Sequence, residues 1–308
     1  MIWVLLTIVN LILGKSYRVP SFDDFLQKYE KHYESTEEYM LRKRIYEENV
    51  KYIKNINNGE NDEGIINWFS DTEVGSRKEK KVSEERVASY PPEWDWTLME
   101  AVTEVKNERG CNSSYIFAAV GAVESLLYLQ GKTNGTLYEM SEQVILDCDK
   151  KATCKGEDIA VPLDFMQSMG TVIEAFYPYE GNSYRCQFDL MPPDLLFNIS
   201  GYRQIQPNNY TALYEAITIN PVVVFMNIGS EDFFSYEAGV YGEDLCQASP
   251  LNHAMLAVGY SEGEFIKFKN SWGPNWGMEG YVLIEVNSAN ESKGGTCGIL
   301  KYGLTPYL

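Results

Sequence analysis

Cysteine, histidine and the amide side chains are where this sequence could do chemistry. Its 308 residues include six cysteines, at positions 111, 148, 154, 186, 246 and 297, and two histidines, His32 and His253. Two imidazoles leave little room for a His-rich metal site, and neither a metal nor a cofactor is expected. An even cysteine count confined to one part of the chain predicts three disulfides, provided the protein meets an oxidising compartment. His253 lies in the apolar run Leu251–Tyr260 (LNHAMLAVGY). A lone histidine in such a run is more often a satisfied core residue than a catalyst. Set beside a hydroxyl or thiol and an amide, the same ring becomes the base of a nucleophilic acyl-transfer site.

The elements that must position these groups are legible from patterning. Ser113 to Tyr128 reads as one strong helix, with Ile116, Val120, Val123 and Leu127 on a single stripe, Ser113 available as N-cap and Gly131 as the stop. Further on the texture turns β-like, in short runs at Pro221–Met226, Met255–Tyr260, Glu264–Lys269 and Gly280–Glu285, bounded by Gly, Pro and Asn. An α-rich half followed by a β-rich half predicts two subdomains with a cleft between them, the usual place for a peptide or small-molecule site.

The N-terminal part is different in kind. Residues 1–90 carry 14 basic and 16 acidic groups and no cysteine, whereas 91–308 carry 12 and 28, so most of the net charge of −18 sits in the second region. That balance argues against a nucleic-acid or anionic-membrane partner, since phosphate affinity comes from Lys and Arg. The apolar run Ile2–Leu13, followed by Gly14, Lys15 and Ser16, reads as a signal peptide over 1–16. It falls short of the roughly 20 residues a membrane span needs. A secreted or endo-lysosomal protein follows, and five N-x-S/T sequons then gain meaning, at Asn112, Asn134, Asn198, Asn209 and Asn290. A helical region from Phe22 to about Asn57 precedes the charged stretch Arg77–Arg86, read as an exposed linker.

Taken in order, several segments resemble the papain-like cysteine proteases. They are Lys106–Phe117 (KNERGCNSSYIF), Met140–Cys148 (MSEQVILDC), Cys154-Lys155-Gly156, Tyr177-Pro178-Tyr179, Leu251–Tyr260 and Lys269–Tyr281 (KNSWGPNWGMEGY). The resemblance covers essentially all of 91–308. Glu38, Arg42, Tyr46, Asn49, Ile53 and Asn57 match the spacing of the family's propeptide helix motif, with Tyr where Phe is usual. Asn67, Phe69 and Asp71 resemble the second propeptide motif, with Ile65 in place of its Gly. The stretches Cys154–Ile159 and Ile199–Tyr202 look like the mite group 1 allergen branch.

The resemblance implies a fold and a site. The fold is α+β, with a helical left subdomain, a β-barrel-like right subdomain and a helical N-terminal prodomain lying along the cleft. Its domains are a signal peptide (1–16), an inhibitory propeptide (17–90) and a peptidase domain (91–308). The implied disulfides are Cys111 with Cys154, Cys148 with Cys186 and Cys246 with Cys297, which leaves no free thiol. His253 takes the place of the catalytic histidine and Asn270 of the residue orienting it, with Trp272 shielding that contact. Gly156 and Glu157 take the place of the substrate-pairing C-x-G-G backbone, whose second Gly is lost.

At the nucleophile the pattern breaks. Where the family reads C-G-S-C-W, this chain reads Cys111-Asn112-Ser113-Ser114-Tyr115, and the oxyanion Gln and following Gly align with Glu108 and Arg109. A thiol of ordinary pKa about 8.5 can be drawn to about 4 by His⁺ and a helix N-terminus, and a serine hydroxyl cannot be stored as an anion in that way. A carboxylate at 108 is acceptor-only, so an oxyanion donor is lost, and an ion pair of Glu108 with Arg109 or His253 is a further expectation. The departures resemble the inactivated cysteine-protease paralogues of the scabies-mite type. They imply a protein that acts by binding or as a decoy, with peptides, host proteins or protease inhibitors as cleft ligands. A monomer is expected, with no nucleic acid or membrane partner. A weak Ser114/His253/Asn270 hydrolase and a residual cysteine-type activity are the alternatives. Without a nucleophile, removal of the propeptide near Ser89 to Pro91 needs another protease.

Overall fold

A computed structural model describes residues 90–308, apart from 189–190, 192–195 and 230, and in the N-terminal region residues 21–28, 32–33, 39–40, 42–44 and 46–47. The expected signal peptide, the linker, Ser89, the second propeptide motif and most of the first lie outside the described residues, and of that first motif only Arg42 and Tyr46 fall within them. The chain divides into two compact units, Met1–Lys80 and Lys81–Leu308.

In the first unit, helix α1 (Phe22–Lys28) starts on a reciprocal cap. Ser21 N–H donates to Asp24 Oδ2 and Asp24 N–H to Ser21 Oγ, both at 3.1 Å, so two N-terminal donors of the helix are satisfied. Phe22 is buried against the ring of Tyr46 at 5.4 Å.

The second unit is built around helix α2 (Ser114–Leu129) and one mixed sheet. Ile116, Val120, Val123 and Leu127 are buried as the stripe requires, and burial extends to every residue from Ser114 to Leu127. The helix is therefore central. Helices α3 (Gln143–Cys148) and α4 (Ala160–Ser168) share its apolar cluster.

The strands are β1 (Glu93–Asp95), β2 (Gly201–Gln204), β3 (Val222–Met226), β4 (Val240–Tyr241), β5 (His253–Ser261), β6 (Phe265–Lys269), β7 (Tyr281–Glu285) and β8 (Tyr302–Tyr307). Helix α5 (Tyr210–Ile219) precedes β3. Strand β5 is buried at all nine positions and pairs with β1, β3 and β6. Alternation explains its continuous apolar run. Ala254, Leu256 and Val258 face the cluster around α2, while Met255 and Ala257 face a second cluster with α5 and Phe233. Gly259 permits β1 to approach, since a Cβ there would meet Trp94 O at 2.4 Å.

The sheet runs β2-β8-β3-β5-β6-β7-β4, with β1 on β5. It is open, which corrects the expected barrel-like right subdomain. Closing a sheet into a barrel requires its two end strands to pair in register. Among the described residues β4 is two residues long and engaged only with β7, and β2 pairs only with β8 while Arg203 and Gln204 stay exposed. The α+β architecture with two apolar clusters remains.

Candidate active site

Helix α2, strand β5 and the turn after β6 meet at their ends, and these ends carry Ser114, His253 and Asn270. All three are buried. His253 Nε2 lies 2.8 Å from Asn270 Oδ1, which also accepts the Ser271 N–H at 2.8 Å. An amide oxygen only accepts, so Nε2 carries the ring proton, and Nδ1 of the neutral ring keeps a lone pair. Burial drives the His253 pKa down to about 4 against the Asn270 hydrogen bond. The ring is neutral over the physiological range.

Ser114 begins α2, and its side-chain oxygen accepts a backbone hydrogen bond. Ala254 N–H donates to Ser114 Oγ at 3.3 Å, tying the helix to β5 one residue past the imidazole. The expected cap by Ser113 is not made by its side chain. Its hydroxyl reaches Tyr179 Oη at 2.8 Å, and its backbone N–H is taken by Glu108.

Glu108 is the most informative of the candidate residues. Its loop is zipped to 271–273 through the backbone, Glu108 N–H donating to Ser271 O at 2.8 Å and Gly273 N–H to Lys106 O at 3.0 Å. That places the carboxylate, 4% exposed, at the start of α2. Oε2 accepts from Ser113 N–H at 2.6 Å, and Oε1 accepts from Ser271 Oγ at 3.1 Å and Trp272 Nε1 at 3.0 Å. A negative group there complements the free N–H groups and the dipole of the helix. Burial nevertheless raises its pKa, opposed by the hydrogen bonds from Ser271, Ser113 and Trp272. The ion pair expected with Arg109 or His253 is not formed. Arg109 has φ +56° and its guanidinium reaches Glu180 O and the face of Tyr179 instead.

Trp272 does more than cover the histidine. Its ring centroid lies 5.1 Å from that of His253, Phe234 stacks on it at 5.2 Å, and its indole N–H reads Glu108. Gly156 is exposed with φ +82° and open space where a Cβ would stand, and Glu157 is exposed beside it. The disulfides are Cys111–Cys154, Cys148–Cys186 and Cys246–Cys297, and no cysteine is free. Asn112, Asn134 and Asn198 are exposed, whereas Asn209 and Asn290 are half-buried. No group of His, Cys, Asp and Glu suited to a metal ion occurs among the described residues.

A buried ionic cluster behind the site escaped the sequence reading. Lys106 Nζ bonds both Glu124 Oε1 and Glu142 Oε1 at 2.8 Å, and Lys269 Nζ reaches Thr103 Oγ1 at 2.8 Å, which in turn donates to Glu124 Oε2 at 2.6 Å. Burial opposes the charge on Lys106, but Glu124 and Glu142 outweigh it and hold the amine above its ordinary range. Burial pushes Glu142 up despite Lys106, and it pushes Lys269 down to about 8. Lys106, Glu124, Glu142 and Lys269 line a cavity of about 20 Å³ together with Asn270 and Ser271. The signal was present, since Glu124 is the only charge in the run SYIFAAVGAVESLLYL.

The chain is similar to known proteins along most of its length. The family model for papain family cysteine proteases matches residues 90–307, and that for the cathepsin propeptide inhibitor domain matches residues 22–74. Chymopapain of Carica papaya is 33% identical over 93% of this chain and 86% of its own. The structure of a recombinant stem bromelain precursor superposes with a TM-score of 0.66 at 31% identity, covering 93% of this chain and 97% of that one. Bromelain of Ananas comosus, solved in complex with the E64 inhibitor, gives 0.64 at 34% identity over 71% of this chain and 99% of that one.

Proposed function

Because this chain belongs to the papain family of cysteine proteases, we propose that it is a secreted or endo-lysosomal member that has lost peptide hydrolysis and acts by binding peptide or protein ligands in its cleft. One observation carries the reading. Position 114, beside the residue that follows His253, holds a serine whose oxygen accepts from Ala254 N–H, while the carboxylate of Glu108 takes the Ser113 N–H at the helix start.

Three requirements of the family's chemistry are then unmet. There is no thiol to store as a thiolate. A base with pKa about 4 is poorly matched to deprotonating a hydroxyl near neutral pH, where the best base titrates near the working pH. The group in the oxyanion position accepts hydrogen bonds, and removing a single oxyanion donor already costs about 10²–10³ in rate. The same pattern favours a place beside the inactivated paralogues of the mite group 1 branch. Host proteins and protease inhibitors are the ligand classes that fit a decoy. The acidic net charge disfavours nucleic acid and anionic membrane. Residues 17–90 are an inhibitory propeptide in this reading, released near Ser89 to Pro91 by another protease, and 91–308 act as a monomer.

The second reading, a weak Ser114/His253/Asn270 hydrolase, draws on the retained 2.8 Å contact between His253 and Asn270. One experiment separates the two. The processed protein is treated in parallel with a cysteine-directed epoxide and a serine-directed fluorophosphonate and assayed on mixed peptide substrates. No label and no turnover are expected, and fluorophosphonate on Ser114 establishes the hydrolase instead.

A further inference from the structure

Replacing the nucleophile also completes a modification motif. Asn112-Ser113-Ser114 is a sequon because Asn stands where C-G-S-C has Gly and Ser stands where it has the second Cys. Cysteine at 114 would leave no N-x-[ST] motif, so the motif exists only alongside the loss of the thiol.

The fold puts this asparagine beside the segment that carries Gly156 and Glu157. Asn112 is exposed and forms an isolated parallel bridge with Lys155, and the Cys111–Cys154 disulfide holds the two segments at a Cα separation of 4.4 Å. Next along the second segment are Gly156 and Glu157, both exposed. Two residues along the first is Ser114. The Asn112 side chain makes no hydrogen bond among the described residues, so a substituent on Nδ2 breaks nothing. Two of the other sequons contrast with it. Asn209 caps α5 through Oδ1 and donates from Nδ2 to Gln206, and Asn198 Nδ2 reaches Met166 O.

We propose that Asn112 carries an N-linked glycan that stands beside Lys155 and Gly156 and screens Ser114 and His253 from extended peptides. The bond joins Asn112 Nδ2 to the anomeric carbon of a lipid-pyrophosphate-linked oligosaccharide. The lipid pyrophosphate leaves with the bonding electron pair and one amide proton is released. In the folded chain Ser114 is 8% exposed and its hydroxyl is engaged, so the sugar is added to the extended segment before α2 forms. The screening role rests on the reading that no peptide must be processed here, whereas occupancy of Asn112 does not depend on it.

The full chain is secreted from insect cells, reduced, digested with trypsin and treated with a peptide amidase in heavy-oxygen water. The peptide from Gly110 to Lys132 contains Asn112 and no other sequon. Conversion of Asn112 to heavy-labelled Asp in most molecules is the expected result, and unmodified Asn112 overturns the proposal. A fluorescein-labelled casein peptide pool is then titrated into the protein and into Asn112→Gln, both freed of residues 17–90 by an added protease. The variant should bind at least about tenfold more tightly. Equal affinity overturns the screening, and binding to neither form overturns both the screening and the binding reading while the glycan map stands on its own.

Discussion

The carboxylate of Glu108 accepts the backbone N–H of Ser113 at 2.6 Å, so the start of α2 is capped from outside by an acid. Both residues belong to a closed set, because the other carboxylate oxygen collects Ser271 Oγ and Trp272 Nε1. In the proposed reading, the place where the family gathers developing negative charge is here taken by the Glu108 carboxyl group. The occupant comes from the same loop that should supply the oxyanion amide.

That closed set predicts unequal costs of truncation. Glu108→Leu keeps the volume, excludes water and strands three donors, each worth about 1–3 kcal/mol when buried and unpaired. A loss of about 3 kcal/mol or more in urea unfolding is expected. Trp272→Phe removes one donor and leaves the carboxylate two others, so about 1–2 kcal/mol is expected from the lost bond and packing. Equal effects would show that the carboxylate is not the hub.

His253 gives a pH signature of definite sign. Its folded pKa of about 4 lies below the unfolded value near 6.5, so between these pH values the unfolded chain binds the extra proton. Stability is therefore lost as pH falls from about 6.5 to about 4, by up to about 3 kcal/mol from this group. Glu108 works in the opposite sense, its raised pKa making the fold less favourable as pH rises past the ordinary glutamate range. Comparing wild type with His253→Gln isolates the histidine. The difference in unfolding free energy should shrink steadily over that acid window, and a flat difference would mean that the ring titrates normally.

Much of this geometry was legible because it is local. The stripe Ile116, Val120, Val123 and Leu127 dictates α2, and the apolar run after His253 dictates a strand buried on two faces. Aligning Ser114, His253 and Asn270 needs only motif order. Sheet closure was not legible, since it turns on whether β2 and β4 find each other, and neither sequence encodes its partner. The partners of Glu108 were equally hidden. An adjacent Arg109 invited an ion pair, but the positive φ of Arg109 turns it toward Tyr179 while backbone bonds to 271–273 turn Glu108 inward.

The ionic cluster behind the site should respond asymmetrically. Lys106→Met strands Glu124 and Glu142 in an apolar setting, and breaking one side of a buried pair costs about 3–5 kcal/mol. Glu142→Gln mimics the protonated acid that burial already favours, so it should cost no more than about 1 kcal/mol. Urea titrations of both variants at neutral pH decide this, and a Glu142→Gln loss as large as that of Lys106→Met would show that Glu142 is held ionised.

On the proposed function, a thiol placed at position 114 is not by itself enough for peptide turnover. In Ser114→Cys the sulfur stands beside a histidine whose burial disfavours the imidazolium that would pair with a thiolate, and Glu108 still fills the anion position with an acceptor. Peptide turnover should stay close to background. Adding Glu108→Gln removes the charge and brings back an N–H donor, for which the oxyanion-donor effect implies a gain of about 10²–10³ in kcat/KM over the single variant. The decisive measurement is the ratio of the two variants on one fluorogenic peptide at fixed pH, with active sites counted by epoxide titration. A single variant as active as the double one would show that the cap on Ser113 is harmless to catalysis and that the missing sulfur was the whole lesion.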